Sequence, residues 1–114
     1  TPSSVDLNRS EQILQSFVKL LKTHYKEEHE TAFYASRLSL TSHHLNWVIK
    51  RLTGHTVSEL IYDLLYCEAC ILLNQSNHSI EEITDELHFS DASAFCKFFK
   101  RRTSITPLQY RKGL

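Results

Sequence analysis

Apolar residues recur at helical spacing along nearly the whole chain. In EQILQSFVKLLKTHYKEE, Ile13, Phe17, Leu20, Leu21 and His24 lie three or four residues apart and share one face, as a helix of 3.6 residues per turn requires. The run EEHE breaks that pattern, and TAFYASRLSL carries a shorter helix with Phe33, Leu38 and Leu40 as its apolar points. Thr41 is placed to N-cap HHLNWVIKRLT, which Gly54 closes. Thr56–Val57–Ser58–Glu59 has the form of a capping box and opens LIYDLLYCEACILLNQ, apolar over a wide arc and so expected to be buried on more than one side. Ser79–Ile80–Glu81–Glu82 is a second capping box, ahead of EEITDELHF. Asp91 caps the basic segment that follows. Thr106–Pro107–Leu108–Gln109 joins a capping Thr, Pro at the first helical position and Gln three residues beyond the cap. The pattern predicts an all-α fold of about seven helices with short loops and no strand.

Two of these helices are versions of one another. At 100° per residue, Leu45, Val48 and Ile49 form an apolar stripe, with His43, Asn46, Trp47, Lys50 and Arg51 opposite. In SDASAFCKFFKRR, Phe95, Phe98 and Phe99 form the stripe, with Ser93, Cys96, Lys97, Lys100 and Arg101 on the other side. The two align at a constant offset of 50, from Thr41 with Asp91 to Thr56 with Thr106. Each follows a short helix and a tight turn. Short helix, turn and capped helix with a basic outer face is the helix-turn-helix pattern, and its repetition makes it a stronger signal than one helical corner would be. The chain divides accordingly into a lead-in (1–30), a first unit (31–56), a bridging helix (57–76) and a second unit with a C-terminal helix (79–114).

Charge sharpens this picture. Net charge is zero, which taken alone argues against a nucleic-acid partner, but the charge is segregated. From Leu52 to Cys96 there are eight acids and no Lys or Arg; from Lys97 to Leu114 there are six basic residues and no acid. Only two Gly and two Pro occur in 114 residues, too few for a fold built on tight β-turns. No apolar run reaches the roughly 20 residues that span a bilayer. Three cysteines without a secretory signal suit a reducing, cytoplasmic setting better than a disulfide framework. The chain starts without Met, as an excised part of a longer protein would.

The order A35-x-x-L-x-L-T-S-H-H-L-N-W-V-I-K-R-L-T-G54, then EACILL, then SIEEITDELHFSDASAFCKFFKRRTSITPLQYR, resembles the DNA-binding domain of AraC/XylS-type transcription regulators. The resemblance covers Phe33 to Arg111 and is most specific in F-x-K-x-F-K-x-x-T-x-x-x-P-x-x-Y-R. Thr84, His88, Ser104 and Leu64 depart from the residues usual in that family. The resemblance implies two helix-turn-helix subdomains joined by a long bridging helix, with both recognition helices entering successive major-groove segments of double-stranded DNA. It also implies a sensing or dimerisation region upstream of Thr1, and RNA polymerase as a further partner.

Base contacts specify and phosphate contacts position. Outward residues near the recognition-helix N-termini are the candidates for bases: His43, Asn46 and Trp47, then Ala92, Ser93, Cys96 and Lys97. Asn can bond adenine bidentately, Lys can donate to guanine, and Ala or Cys can meet a thymine methyl. Trp47 is open between a DNA contact and packing onto a neighbouring helix. Lys50, Arg51, Lys100, Arg101 and Arg111 are candidates for phosphates, as are the helix N-termini at Thr41–Ser42 and Asp91. The bland alternative is a solvated charged face.

Other chemistry finds little footing. Cys67-Glu-Ala-Cys70 lacks a second ligand pair and lies inside an apolar helix, where two buried structural thiols are expected. His43 and His44 point about 100° apart, a poor chelate. No nucleophile elbow, phosphate-binding Gly loop or carboxylate pair is present, so neither an enzyme nor a cofactor is expected. The rival reading is a helical protein-interaction module that keeps the fold without reading DNA.

Overall fold

The computed structural model describes residues 4–75 and 77–113, with side chains from residue 9 onward. The order is α1 (Ser4–His24), α2 (Thr31–Arg37), α3 (Ser42–Thr53), α4 (Val57–Gln75), α5 (Ile80–Glu86), α6 (Ala92–Thr103) and α7 (Pro107–Arg111). Every element among the described residues is helical, as the hydrophobic periodicity requires. α1 begins earlier than the apolar spacing suggested, because the polar lead-in from Ser4 continues the same helix.

The chain forms two compact units, Thr1–Tyr62 and Asp63–Leu114, and the division falls within α4. In the first unit Phe17 and Leu21 of α1, Tyr34 and Ala35 of α2, and Leu45, Val48 and Ile49 of α3 are buried with Val57 and Ile61. Phe17 meets Tyr34 edge-to-face at 5.6 Å, an arrangement the ring quadrupoles favour. The Tyr34 hydroxyl donates to the Glu28 carbonyl at 2.9 Å. Burial, with the Glu28 charge second, pushes its pKa up to about 12. In the second unit Leu65, Ala69, Leu73, Ile83, Leu87, Phe95 and Phe99 are buried. Phe99 lies 5.6 Å from Tyr66 and 5.4 Å from Tyr110. Phe98, expected in the stripe, is only half-buried: its ring lies tilted against Phe89 with centroids 5.1 Å apart.

α4 buries a single row at intervals of four, Val57, Ile61, Leu65, Ala69 and Leu73. The wide apolar arc is therefore less covered than expected, with Leu60, Leu64 and Leu72 half-buried and Ile71 exposed. Cys67 is exposed and Cys70 half-buried, which corrects the expectation of two buried thiols; Cys67, Cys70 and Cys96 are all free.

The internal repeat extends to individual hydrogen bonds. Leu40 N–H donates to Ala35 at 2.8 Å, and Phe89 N–H to Thr84 at 3.1 Å. These are the six-to-one bonds that close a helix through a left-handed residue, here Ser39 (φ 58°) and His88 (φ 59°). The helix ends also match: Gly54 (φ 81°) and Ser104 (φ 67°) cap α3 and α6 in left-handed conformation. Thr53 and Thr103 then accept the N–H groups of His55 and Ile105 at 3.1 and 3.2 Å. The offset of 50 holds from the recognition helices onward. It is 49 in the preceding turn, because Ser90 adds one residue ahead of Asp91.

Candidate nucleic-acid interface

The apolar stripe of α3 is buried at Leu45, Val48 and Ile49, so the opposite side must face outward. There His43, His44, Trp47, Lys50 and Arg51 are exposed, and Ser42 and Asn46 half-buried. The Thr41 hydroxyl accepts His44 N–H at 3.0 Å, satisfying one N–H that a helix start leaves without an intrahelical partner. Trp47 is 52% exposed. Its indole stacks on the His44 ring (6.2 Å, 17°), and the Arg51 guanidinium lies 5.1 Å from its centre. With Arg9 and Ile13 of α1, these three residues line a shallow groove. Trp47 is thus braced by His44 and Arg51 while about half of its surface stays exposed.

Asn46 is placed differently from the other outward residues. Its Oδ1 accepts Val57 N–H at 2.9 Å, from the first residue of α4. The candidate for a bidentate adenine contact thus already accepts one backbone N–H within the fold.

In α6, Phe95 and Phe99 turn inward, leaving Ser93, Lys97, Lys100 and Arg101 exposed and Ala92 and Cys96 half-buried. Burial pushes the Cys96 thiol pKa up, so this position presents a neutral, nearly apolar group. The Asp91 carboxylate accepts Ala94 N–H at 2.8 Å. The Asp91 side chain is thus the N-cap of α6.

Two arginines belong to the fold. Arg111 Nε donates to Leu73 O at 3.1 Å and its Nη2 to Leu72 O at 3.3 Å. It caps the carbonyl end of α4, where a cation also opposes the helix dipole. The phosphate candidate Arg111 is thus engaged within the fold through Nε and Nη2. Arg102 was not singled out by the sequence. It pairs with Asp63 and lies 5.2 Å from the Tyr66 ring and 5.8 Å from Phe98. Asp63 and Tyr66, three apart on α4, were the readable signal: an acid and an aromatic sharing one helix face.

No cluster of three or more metal-ligating side chains occurs among the described residues, and no described helix is long and apolar enough to cross a membrane.

A family described as "Helix-turn-helix domain" matches residues 34–113, the stretch that holds both capped helices. The chain belongs to the AraC-type helix-turn-helix family. Among curated proteins it is similar to the HTH-type transcriptional activator RhaR of Escherichia coli K12, 27% identical over 111 residues. That match covers 97% of this chain and 39% of RhaR, so the chain spans about two fifths of the length of this relative. Among solved structures it is similar to the C-terminal domain of the response regulator yesN from Fusobacterium nucleatum, with a TM-score of 0.80, 25% identity, and coverage of 91% of this chain and 98% of that one. The DNA-binding domain of AdpA, solved in complex with a target DNA, shares the fold: its TM-score is 0.78 at 21% identity, over 89% of this chain and 90% of that one.

Proposed function

We propose that this AraC-type domain reads two successive major-groove segments of double-stranded DNA, about one helical turn or roughly 34 Å apart. The chain is the DNA-binding domain of a transcription regulator. The observation that carries the reading is the pair of capped helices, α3 and α6, each with a buried apolar face and an exposed basic one. His43 and Trp47 of α3 and Ser93 and Lys97 of α6 are the base readers, while Ala92 and Cys96 supply apolar contact. Lys50, Arg51, Lys100 and Arg101 neutralise phosphates, assisted by backbone N–H groups at Ser42 and Ala92.

The wider context belongs to the same proposal. RhaR's description as a transcriptional activator, and the 39% of its length matched here, support an upstream sensing or dimerisation region and RNA polymerase as a partner of the full regulator, acting in the cytoplasm. Selection from a random DNA pool tests the reading. It is expected to return two sequence blocks about one turn apart. Absence of binding at low salt, or unchanged binding by the Lys50, Arg51, Lys100, Arg101 quadruple alanine variant, overturns it in favour of the protein-interaction module.

A further inference from the structure

The two halves of the repeat solve one problem in two ways. A helix leaves its first N–H groups without intrahelical partners, and an unsatisfied buried donor is expensive. α4 starts at Val57, which is fully buried, so solvent has little access to its N–H; Asn46 Oδ1 accepts it at 2.9 Å. α7 starts fifty residues later at Pro107, also buried, and proline has no N–H. The residue at Asn46's position there is Cys96, a weak acceptor. Donor and strong acceptor are present together in one unit and absent together in the other.

We infer that Asn46 is a positioning residue: its side chain ties the middle of recognition helix α3 to the start of α4 and does not read a base. Bidentate recognition of adenine needs the amide oxygen to accept from N6 while the amide nitrogen donates to N7. The backbone N–H of Val57 can only donate, so the amide oxygen must turn toward it and away from DNA. What the sequence presents as the best adenine reader in α3 is thereby a brace, and the reading of α3 falls to its neighbours His43 and Trp47. The DNA half of this inference rests on α3 being a recognition helix.

The test has two arms. In thermal unfolding without DNA, Asn46→Ala is expected to lower Tm by about 4 °C. Asn46→Asp, which keeps an acceptor, should recover most of that loss. In a Val57→Pro background, which copies α7, Asn46→Ala should lower Tm no further. In the second arm, the wild-type chain and Asn46→Ala are each presented with a random DNA pool. The expected result is weaker binding by the variant to all sites alike, with the preferred base unchanged at every position. The inference is overturned if Asn46→Ala keeps the wild-type Tm, if its loss is undiminished in the Val57→Pro background, or if it loses about tenfold or more discrimination at one base pair. A wild-type chain that selects no DNA while the Asn46–Val57 coupling persists marks a failure of the recognition reading alone.

Discussion

Neighbouring arginines in α6 show how little a residue's type says about its task. Arg101 is exposed with its face toward solvent, whereas Arg102 pairs with Asp63 and lies over Tyr66 and Phe98. The ion pair is partly exposed, so it contributes well under what a buried pair would; the stem and ring contacts add to it. Arg102→Ala is therefore expected to destabilise the chain by about 1 kcal/mol in denaturant unfolding while leaving the salt dependence of DNA binding unchanged. Arg101→Ala should do the reverse, with wild-type stability and a salt slope lower by about 1. Periodicity separates the two: at 100° per residue Arg102 projects into the arc of Phe95, Phe98 and Phe99, whereas Arg101 projects onto the polar side with Lys97. Arg111 and Asn46 show what periodicity leaves out: it says which way a side chain faces but not whether a nearby backbone group claims it. The inward residues Leu45, Ile49, Phe95 and Phe99 were legible, because only burial suits them.

At the scale of elements, caps and turns carry the readable information, because few residue types can perform those tasks. Thr41, Gly54, Ser79, Asp91 and Thr106 all cap the helices their positions suggested. The left-handed turns at Ser39, His88 and Ser104 were harder to read, since none is glycine. A left-handed conformation costs a non-glycine residue about 1–2 kcal/mol, so Ser104→Gly, which copies Gly54, is expected to stabilise the chain by about 1 kcal/mol and raise Tm by about 4 °C. Gly54→Ser should lower it comparably in the same calorimetric scan, through backbone strain alone, because a Cβ at Gly54 meets nothing within 4 Å. The capping boxes also set an acid limit. Glu59 and Glu82 accept the N–H groups of Thr56 and Ser79 at 2.7 and 2.9 Å, and those bonds hold both carboxyls below the ordinary range. A folded pKa below the unfolded one contributes stability above the carboxylate range and loses it as pH falls through that range. Glu59→Gln with Glu82→Gln should therefore show a smaller fall in Tm between about pH 6 and pH 3 than the wild type. The box at Thr106 already uses Gln109 and adds nothing to this dependence.

For the whole molecule, net charge and binding charge are different quantities. Thirteen basic and thirteen acidic residues cancel, so long-range attraction to DNA is weak, and affinity must come from cations that reach phosphates. Seven lysines and arginines occur in or beside the recognition helices in the sequence: Lys50, Arg51, Lys97, Lys100, Arg101, Arg102 and Arg111. The fold takes Arg102 and Arg111 for itself, which leaves five exposed on α3 and α6. Each phosphate neutralised contributes about −0.9 to the slope of log K against log salt. The chain should therefore show a slope of about −4 to −5 rather than about −6, the value expected if all seven took part. In fluorescence anisotropy on its selected site, affinity should fall by about 10²–10³-fold between 50 and 200 mM salt. The Lys50, Arg51, Lys100, Arg101 quadruple alanine variant should flatten the slope to about −1, with Lys97 the cation that remains. A wild-type slope near −6 would mean that Arg102 and Arg111 let go of Asp63 and the α4 carbonyls when DNA binds. A slope near zero would leave the basic faces of α3 and α6 without a phosphate partner.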